Sequence, residues 1–173
     1  MPHQAADGVS GKRSSGHSID TTSESGNEHG SARTYMSGPD FLDTNVLVYA
    51  YDLSEVAKRN IAQDLLRRAL DGEIVISTQV LAEFAATLLH KLSPRARPAD
   101  VSAILDALGP IKVIVPDSDT VRRAVQAHDQ YGVHFYDGMI VAAAERGGCA
   151  RIFSEDLNAG QSYFGIEVAN PFA

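Results

Sequence analysis

Four acidic residues stand in otherwise apolar stretches of this sequence, and acids in such surroundings can bind metal ions. Asp43 follows Phe-Leu, Glu83 lies within Val-Leu-Ala-Glu-Phe-Ala-Ala, Asp137 precedes Gly-Met-Ile-Val-Ala-Ala-Ala, and Asp156 closes Arg-Ile-Phe-Ser-Glu-Asp. A desolvated carboxylate is unfavourable unless it is paired or coordinates a metal. Four converging carboxylates would repel one another unless they were protonated or neutralised by a divalent cation. Oxygen ligands suit Mg²⁺ or Mn²⁺ rather than zinc, and the sequence has no cysteine and histidine spacing typical of a zinc site.

Each acid also has a simpler structural explanation. Asp43 could cap the helix that follows it, and Asp137 could be a favourable negative charge at a helix start. Glu83 could be a solvated helix residue, and Asp156 could be an ordinary turn residue. The residues taken singly leave both interpretations open, so the fold has to decide whether the four acids meet.

Short β-rich segments alternate with segments of helical periodicity from residue 41 onwards. Such alternation predicts an α/β fold with a mainly parallel sheet covered on both faces. We predict strands at 41–42, 73–77, 111–115, 149–153 and 165–168, and helices at 46–51, 54–70, 78–92, 99–108, 118–131 and 136–146.

The predicted positions favour the metal-site interpretation. In open α/β sheets, ligands bind beyond the carboxyl ends of the strands. Asp43 and Asp156 are both predicted at such ends, and helix starts lie on the same side of a strand–helix unit. We therefore expect Asp43 to be a metal ligand, while Thr44 or Asn45 caps the first helix.

The composition limits the class of protein. The chain has 173 residues, an ordinary apolar content of 44%, and no apolar run long enough to span a bilayer. Its single cysteine, Cys149, excludes an internal disulfide, so we predict a cytoplasmic protein without membrane association. The formal charge of −7 provides no overall attraction for nucleic acid, which would have to be held by local basic patches or bound cations.

Residues 1–38 differ in composition from the rest of the chain. Glycine and serine supply 14 of these 38 positions, and the branched aliphatic residues are Val9 and Ile19. Such a segment cannot bury enough apolar surface to offset the entropy of ordering. We predict either a disordered N-terminal tail or an extension upstream of a natural start at Met36, followed by one folded domain at 39–173.

The ordered set of acidic motifs resembles the PIN domain family, and within it the VapC-type toxins of bacterial toxin–antitoxin systems. The matching segments are Phe-Leu-Asp-Thr-Asn at 41–45, Glu83 in the third helix, Tyr-Asp-Gly-Met-Ile-Val-Ala-Ala-Ala at 136–144, and Phe-Ser-Glu-Asp-Leu-Asn at 153–158. The family often has Trp-Asp-Ala where this chain has Tyr-Asp-Gly, so we expect Gly138 to make that helix start more flexible.

The resemblance implies a three-layer α/β/α fold and a metal-dependent endoribonuclease, dimeric and inhibited by an antitoxin protein. It implies that Mg²⁺ or Mn²⁺ activates a water molecule for attack on an RNA phosphodiester. The implied metal ligands are Asp43, Glu83, Asp137 and Asp156, with Asn45 and Ser154 as polar supports. We predict RNA contacts from Arg95 and Arg97, and an antitoxin groove walled by helices 54–70 and 78–92.

Two other enzyme and signalling classes fit these residues less well. Phosphatases of the haloacid-dehalogenase type also start from a strand-tip aspartate, but they need a second acid where this chain has Asn45. A receiver domain needs a late lysine, and the last lysine, Lys112, fits that role poorly. Two alternatives stay open: a catalytically inactive PIN-like binding module, and a nuclease that acts on single-stranded DNA.

Overall fold

The centre of the fold is a six-stranded sheet. A computed structural model of the chain describes residues 38–92 and 94–173, so the predicted tail lies outside the described residues except for Gly38. The strands are β1 (Asp40–Leu42), β2 (Ile74–Ser77), β3 (Val113–Ile114), β4 (Arg151–Phe153), β5 (Ser162–Tyr163) and β6 (Ile166–Ala169). Their order is β3-β2-β1-β4-β6-β5, and every neighbouring pair is parallel except β5 with β6. The predicted mainly parallel sheet is confirmed.

The helices form two groups around this sheet. They are α1 (Thr44–Tyr49), α2 (Val56–Leu70), α3 (Thr78–His90), α4 (Pro98–Ala107), α5 (Ser118–Tyr131) and α6 (Phe135–Arg146). α1 contacts α2 and α3, and α3 contacts α4, whereas α5 packs along α6, which lies against the sheet. The arrangement confirms the predicted α/β/α fold. None of the helices in the described part of the chain has the length and apolar character needed to cross a membrane.

The strands and the helix next to the four acids are deeply buried. Every residue of β1 and β2 is buried, as expected for parallel strands covered on both faces. α6 is buried from Gly138 to Ala144, between the sheet and α5. A Cβ atom at Gly138 would lie 2.7 Å from the backbone oxygen of Ala124. Gly138 therefore allows α5 to approach α6 closely, which gives this glycine a packing role in addition to the flexibility predicted for it.

One strand was missed by the sequence prediction. β5 and β6 form a hairpin whose two-residue turn, Phe164 and Gly165, has positive φ at both positions. That geometry is typical of a type I′ turn, which normally contains asparagine, aspartate or glycine at both central positions. Because Phe164 occupies the first of them, the sequence lacks the usual hairpin signal.

Candidate active site

Asp43 lies directly after β1, at the carboxyl edge of the sheet, with 6% of its surface exposed. Its Oδ1 accepts a hydrogen bond from the N–H of Thr44 at 2.6 Å. Its Oδ2 accepts one from the Ser154 hydroxyl at 2.6 Å and another from the Asn45 amide at 3.3 Å. Asp43 is also the N-cap of α1, so the prediction that Thr44 or Asn45 takes that role is wrong. The cap uses one carboxylate oxygen, which leaves the other facing Ser154 and Asn45.

Asn45 joins three parts of the site. Its Nδ2 donates to Asp156 Oδ2 at 2.9 Å and lies 3.3 Å from both Asp43 Oδ2 and Ser154 Oγ. Its Oδ1 accepts from the N–H of Glu155 at 3.3 Å. One amide group therefore draws together oxygen atoms of two carboxylates that are far apart in sequence.

Ser154 fixes the segment that follows β4. Its side chain is fully buried, and its hydroxyl donates to Asp43. The same oxygen accepts hydrogen bonds from the N–H groups of Asp156 at 3.1 Å and Leu157 at 3.2 Å. Ser154 thereby sets the position of Asp156 relative to Asp43.

Glu83 enters the site from α3 through two hydrogen bonds to its carboxylate. Thr44 Oγ1 donates to Oε2 at 3.0 Å, and Gln79 Nε2, one helical turn earlier, donates to Oε1 at 2.9 Å. Gln79 Nε2 also donates to the backbone oxygen of Tyr136 at 3.2 Å. Gln79 therefore connects Glu83 to the first turn of α6, where Asp137 lies.

Asp137 completes the acidic group from the first turn of α6. Partial burial raises the pKa of its carboxyl, His134 opposes that increase, and the negative charges of Asp156 and Glu83 add to it. These charge effects mean that Asp137 lies within electrostatic range of both other acids. The structure therefore brings the four predicted acids to the same edge of the sheet.

The electrostatics of Asp43 reflect the same convergence. Burial raises the pKa of the Asp43 carboxyl to about 6, against the lowering effect of the Ser154 and Thr44 hydrogen bonds. The charges of Asp156 and Asp137 raise it further. A site with this much unfavourable negative charge would be stabilised by a bound cation.

The four acids do not by themselves form a compact set of metal ligands. Within residues 38–92 and 94–173, no three acidic, histidine or cysteine side chains are arranged closely enough to hold a metal ion. The carboxylates of Asp43, Glu83 and Asp156 instead accept hydrogen bonds from hydroxyl and amide groups of Thr44, Asn45, Gln79 and Ser154. The donor set fits a divalent cation chemically because it consists of oxygen atoms that carry excess negative charge.

Outer contacts hold the Asp156 segment against α1 and α2. The Glu155 carboxylate accepts hydrogen bonds from the Tyr49 hydroxyl at 2.7 Å and from Lys58 Nζ at 2.5 Å. Lys58 Nζ also lies 4.5 Å from the centre of the Tyr49 ring. The bond from Lys58 lowers the pKa of Glu155, so this carboxylate stays ionised and paired beside the acidic group.

The two predicted RNA-contacting arginines follow the C-terminal end of α3. That helix ends at His90, which is about 10 Å along the helix axis from Glu83. The Arg97 guanidinium makes two hydrogen bonds of 2.8 Å to Asp100. Contact of Arg95 and Arg97 with RNA stays a prediction.

Three residues with clear positions at the site were not predicted from sequence. Thr44 and Gln79 hold Glu83, and Lys58 holds Glu155. Gln79 carried a usable signal because it lies four residues before Glu83 on the same helix. Lys58 carried none, since its contact with Glu155 spans 97 residues of sequence.

Replacing Ser154 with alanine tests the support of Asp43. Ser154→Ala leaves the Asp43 carboxylate without its shortest side-chain donor and frees two backbone N–H groups. We expect a loss of about 1–3 kcal/mol in the free energy of unfolding. We also expect metal affinity or activity to fall about 10- to 100-fold, as for other residues that orient metal ligands. Urea unfolding and metal titration measure the two effects, and unchanged values in both would contradict this role.

The sequence model of the PIN domain matches residues 41–162, a range that includes all four acids together with Asn45 and Ser154. The chain belongs to the PIN domain family. The resemblance to the PIN domain seen in the sequence is thereby confirmed, and the mainly parallel sheet with its covering helices is the fold of this PIN domain.

Solved structures with the same fold include toxin–antitoxin proteins. A toxin–antitoxin complex from Klebsiella pneumoniae has a TM-score of 0.58 and 19% identity, covering 76% of this chain and 97% of that chain. VapC20 of Mycobacterium tuberculosis, a sarcin–ricin loop cleaving toxin, has a TM-score of 0.53 and 20% identity, and the match covers 68% of this chain and 91% of VapC20. VapBC2 of Rickettsia felis, bound to a DNA fragment from its promoter, has a TM-score of 0.54 and 20% identity, and the match covers 76% of this chain and 97% of that chain. Among curated proteins, no sequence matches this PIN domain.

Proposed function

We propose that this PIN domain is a metal-dependent endoribonuclease and the toxin of a toxin–antitoxin pair. The observation that carries the proposal is the convergence of the four acids, with Asn45 donating to Asp156 and approaching Asp43. The similar fold of VapC20, a toxin that cleaves the sarcin–ricin loop, supports RNA as the substrate class. The similar folds of toxin–antitoxin complexes support an antitoxin as the partner.

The four acids would hold one or two Mg²⁺ or Mn²⁺ ions. When bound, a divalent metal supplies an acidified water as nucleophile and charge stabilisation for the leaving oxygen. Asn45 and Ser154 would orient Asp43 and Asp156, while Thr44 and Gln79 would orient Glu83. The hydrogen bonds that now satisfy the carboxylates would be partly exchanged for metal ligation.

A comparison of RNA with single-stranded DNA tests the activity. We expect the purified protein to cleave single-stranded RNA in Mg²⁺ or Mn²⁺, and to cleave DNA of the same sequence more slowly. Preferential cleavage of the DNA would favour the DNA-nuclease alternative. Mn²⁺ binding without cleavage of either polymer would contradict the proposed activity, and failure to bind Mn²⁺ would favour the inactive binding module.

A cavity beside α2 is the proposed binding groove for the antitoxin. This cavity, of about 450 Å³, lies between the turn after α1 and the side of α2. It is lined by Ala50, Tyr51, Leu53, Arg59, Gln63, Leu66, Arg67 and Leu70, and Leu53 is 70% exposed. The sequence predicted helices 54–70 and 78–92 as the walls of the antitoxin groove. The residues that line this cavity come from α2 and the α1–α2 turn, and none of them comes from α3.

Replacing Leu53 with glutamate tests this groove. We expect Leu53→Glu to weaken binding of the antitoxin encoded by the neighbouring gene at least about tenfold, because a charge would be buried against an apolar segment. RNA cleavage by the variant alone should be unchanged. Val115→Glu is the control, since Val115 is 66% exposed and lies outside the groove. Equal antitoxin affinity for Leu53→Glu and the parent would contradict the assignment.

The homodimer and the cytoplasmic location stay predictions, and sedimentation equilibrium tests the dimer.

A further inference from the structure

Tyr136 presents an aromatic ring to solvent beside the acidic group. Its surface is 59% exposed, and every other tyrosine or phenylalanine in residues 38–92 and 94–173 is buried or half-buried. Leaving a large aromatic side chain in water forgoes the free energy that its burial would provide. An isolated exposed residue needs no explanation in general, but this one directly precedes Asp137 in the first turn of α6.

The Tyr136 ring is held by its neighbours. His134, the N-cap of α6, approaches the Tyr136 N–H with Nδ1 at 3.4 Å, and its ring lies 5.8 Å from the Tyr136 ring at a tilt of 31°. Phe135 contacts the same ring edge-on at 5.4 Å. The backbone oxygen of Tyr136 accepts from Gln79. The ring is therefore a preorganised flat surface, which reduces the entropy lost when a ligand binds to it.

Tyr136 is connected to two of the acids, Asp137 and Glu83. Tyr136 directly precedes Asp137, and the Gln79 nitrogen that holds its backbone also holds Glu83 at 2.9 Å. A polynucleotide whose phosphodiester reached the acids would therefore carry its adjacent bases past Tyr136.

Charge alone provides little affinity for RNA in this protein. The chain has a formal charge of −7. Many of its arginines are already neutralised within the fold by carboxylates: Arg67 by Asp64, Arg68 by Asp40 and Glu73, Arg97 by Asp100, Arg122 by Asp119, Arg123 by Glu145, and Arg146 by Asp117. Stacking of bases on aromatic rings provides affinity that needs no positive charge.

We propose that Tyr136, braced by His134, is a stacking platform for an unpaired nucleobase next to the scissile phosphate. This inference rests on the proposed nuclease function and adds a base-binding position to it. Unpaired RNA bases are commonly recognised by stacking on tyrosine and histidine rings, and the interaction tolerates different bases. The platform therefore selects single-stranded RNA segments over paired ones.

The test combines a protein change with a substrate change. Cleavage sites on a labelled single-stranded RNA are first mapped with the parent protein in Mg²⁺, and each nucleotide beside the cut is then replaced with an abasic one. Tyr136→Ala should raise KM about tenfold, within the range of alanine substitutions at stacking positions. Tyr136→Phe and Tyr136→Trp should keep KM near the parent value. The control is Val115→Ala, an exposed apolar position outside the antitoxin groove.

The abasic substrates identify a direct contact. For one flanking position, removal of the base should raise KM about tenfold with the parent protein and cause no further increase with Tyr136→Ala. The factor by which Tyr136→Ala raises KM should be the same at low and high salt, because stacking does not release counterions. The inference would be overturned if removal of the base and Tyr136→Ala raised KM by independent factors that multiply. It would also be overturned if Tyr136→Phe and Tyr136→Trp raised KM as much as Tyr136→Ala does.

The result also separates this inference from the proposed function. An active parent protein whose KM is unchanged by Tyr136→Ala would overturn the stacking platform and leave the nuclease function standing. A parent protein that cleaves no RNA would overturn the nuclease function and the platform with it. Unchanged RNA kinetics with weakened antitoxin binding would overturn the platform as well, and would assign Tyr136 to a protein interface instead.

Discussion

Replacing Asp43 with asparagine is expected to slow RNA cleavage about a thousandfold while the fold remains intact. Asp43 is the most buried of the four acids, and its Oδ2 accepts hydrogen bonds from Asn45 and Ser154. The same Asn45 amide donates to Asp156. Asparagine fills the same space but carries no charge to bind a cation. Losing several kcal/mol of metal-derived transition-state stabilisation corresponds to about three orders of magnitude in rate.

The measurement is the initial rate of cleavage of a labelled RNA in saturating Mg²⁺. Asp129→Asn provides the matched control, because it removes the same charge from an exposed position on α5. The control variant should retain the parent rate. A rate for Asp43→Asn within a few fold of the parent would show that Asp43 is only the cap of α1.

The same substitution is expected to stabilise the metal-free protein at neutral pH. Burial raises the pKa of Asp43 from 3.8 to about 6, so keeping this carboxylate ionised opposes folding. A pKa change of this size corresponds to about 3 kcal/mol. Asparagine is a weaker acceptor for Thr44 and Ser154, which offsets part of this gain, so we expect about 1–2 kcal/mol in the free energy of unfolding.

The pH dependence has a defined sign. Because the folded state binds the Asp43 proton more tightly than the unfolded state, the carboxylate destabilises the fold progressively as pH rises from about 4 to about 6. The stability difference between Asp43→Asn and the parent should therefore be small near pH 4 and reach its full value above pH 6. Urea unfolding in a chelator at several pH values measures it, with Asp129→Asn as the reference. A difference that is largest at low pH would contradict burial of the Asp43 charge as the cause.

A stabilising active-site substitution would also indicate what the site is built to bind. Adding Mg²⁺ or Mn²⁺ should stabilise the parent protein, since a ligand that binds only the folded state raises its stability by mass action. Asp43→Asn should gain less from the same ion. The buried Asp43 charge would then lower the free energy of unfolding of the metal-free protein in exchange for metal binding.

The fold could be predicted where local pattern and burial agree. β1 and β2 are short apolar runs that are buried on both faces, and their periodicity does not match a helix. The β5–β6 hairpin could not be predicted, because Phe164 adopts a positive φ that its residue type does not indicate. Similarly, the close approach of α5 to Gly138 is a contact between distant residues that the local sequence cannot show.

The site was predictable at the level of its acids but not of its hydrogen bonds. Strand ends and helix starts fall on one edge of a parallel sheet, so Asp43 and Asp156 could be expected to meet. The donors that hold them depend on side-chain contacts that span large sequence distances, such as Ser154 to Asp43 across 111 residues. The helix cap differs from the prediction because one carboxylate has two oxygens: Asp43 caps α1 through Oδ1 and faces Ser154 and Asn45 with Oδ2.

The central claim is that the four acids act by binding a divalent metal that activates water for RNA hydrolysis. Its most direct test is the RNA cleavage rate of chelator-treated protein as Mg²⁺ or Mn²⁺ is added back, measured for the parent, Asp43→Asn and Asp129→Asn. We predict no cleavage in the chelator, full recovery for the parent and Asp129→Asn, and no recovery for Asp43→Asn. Cleavage at the full rate in the chelator, or full recovery of Asp43→Asn, would contradict the claim.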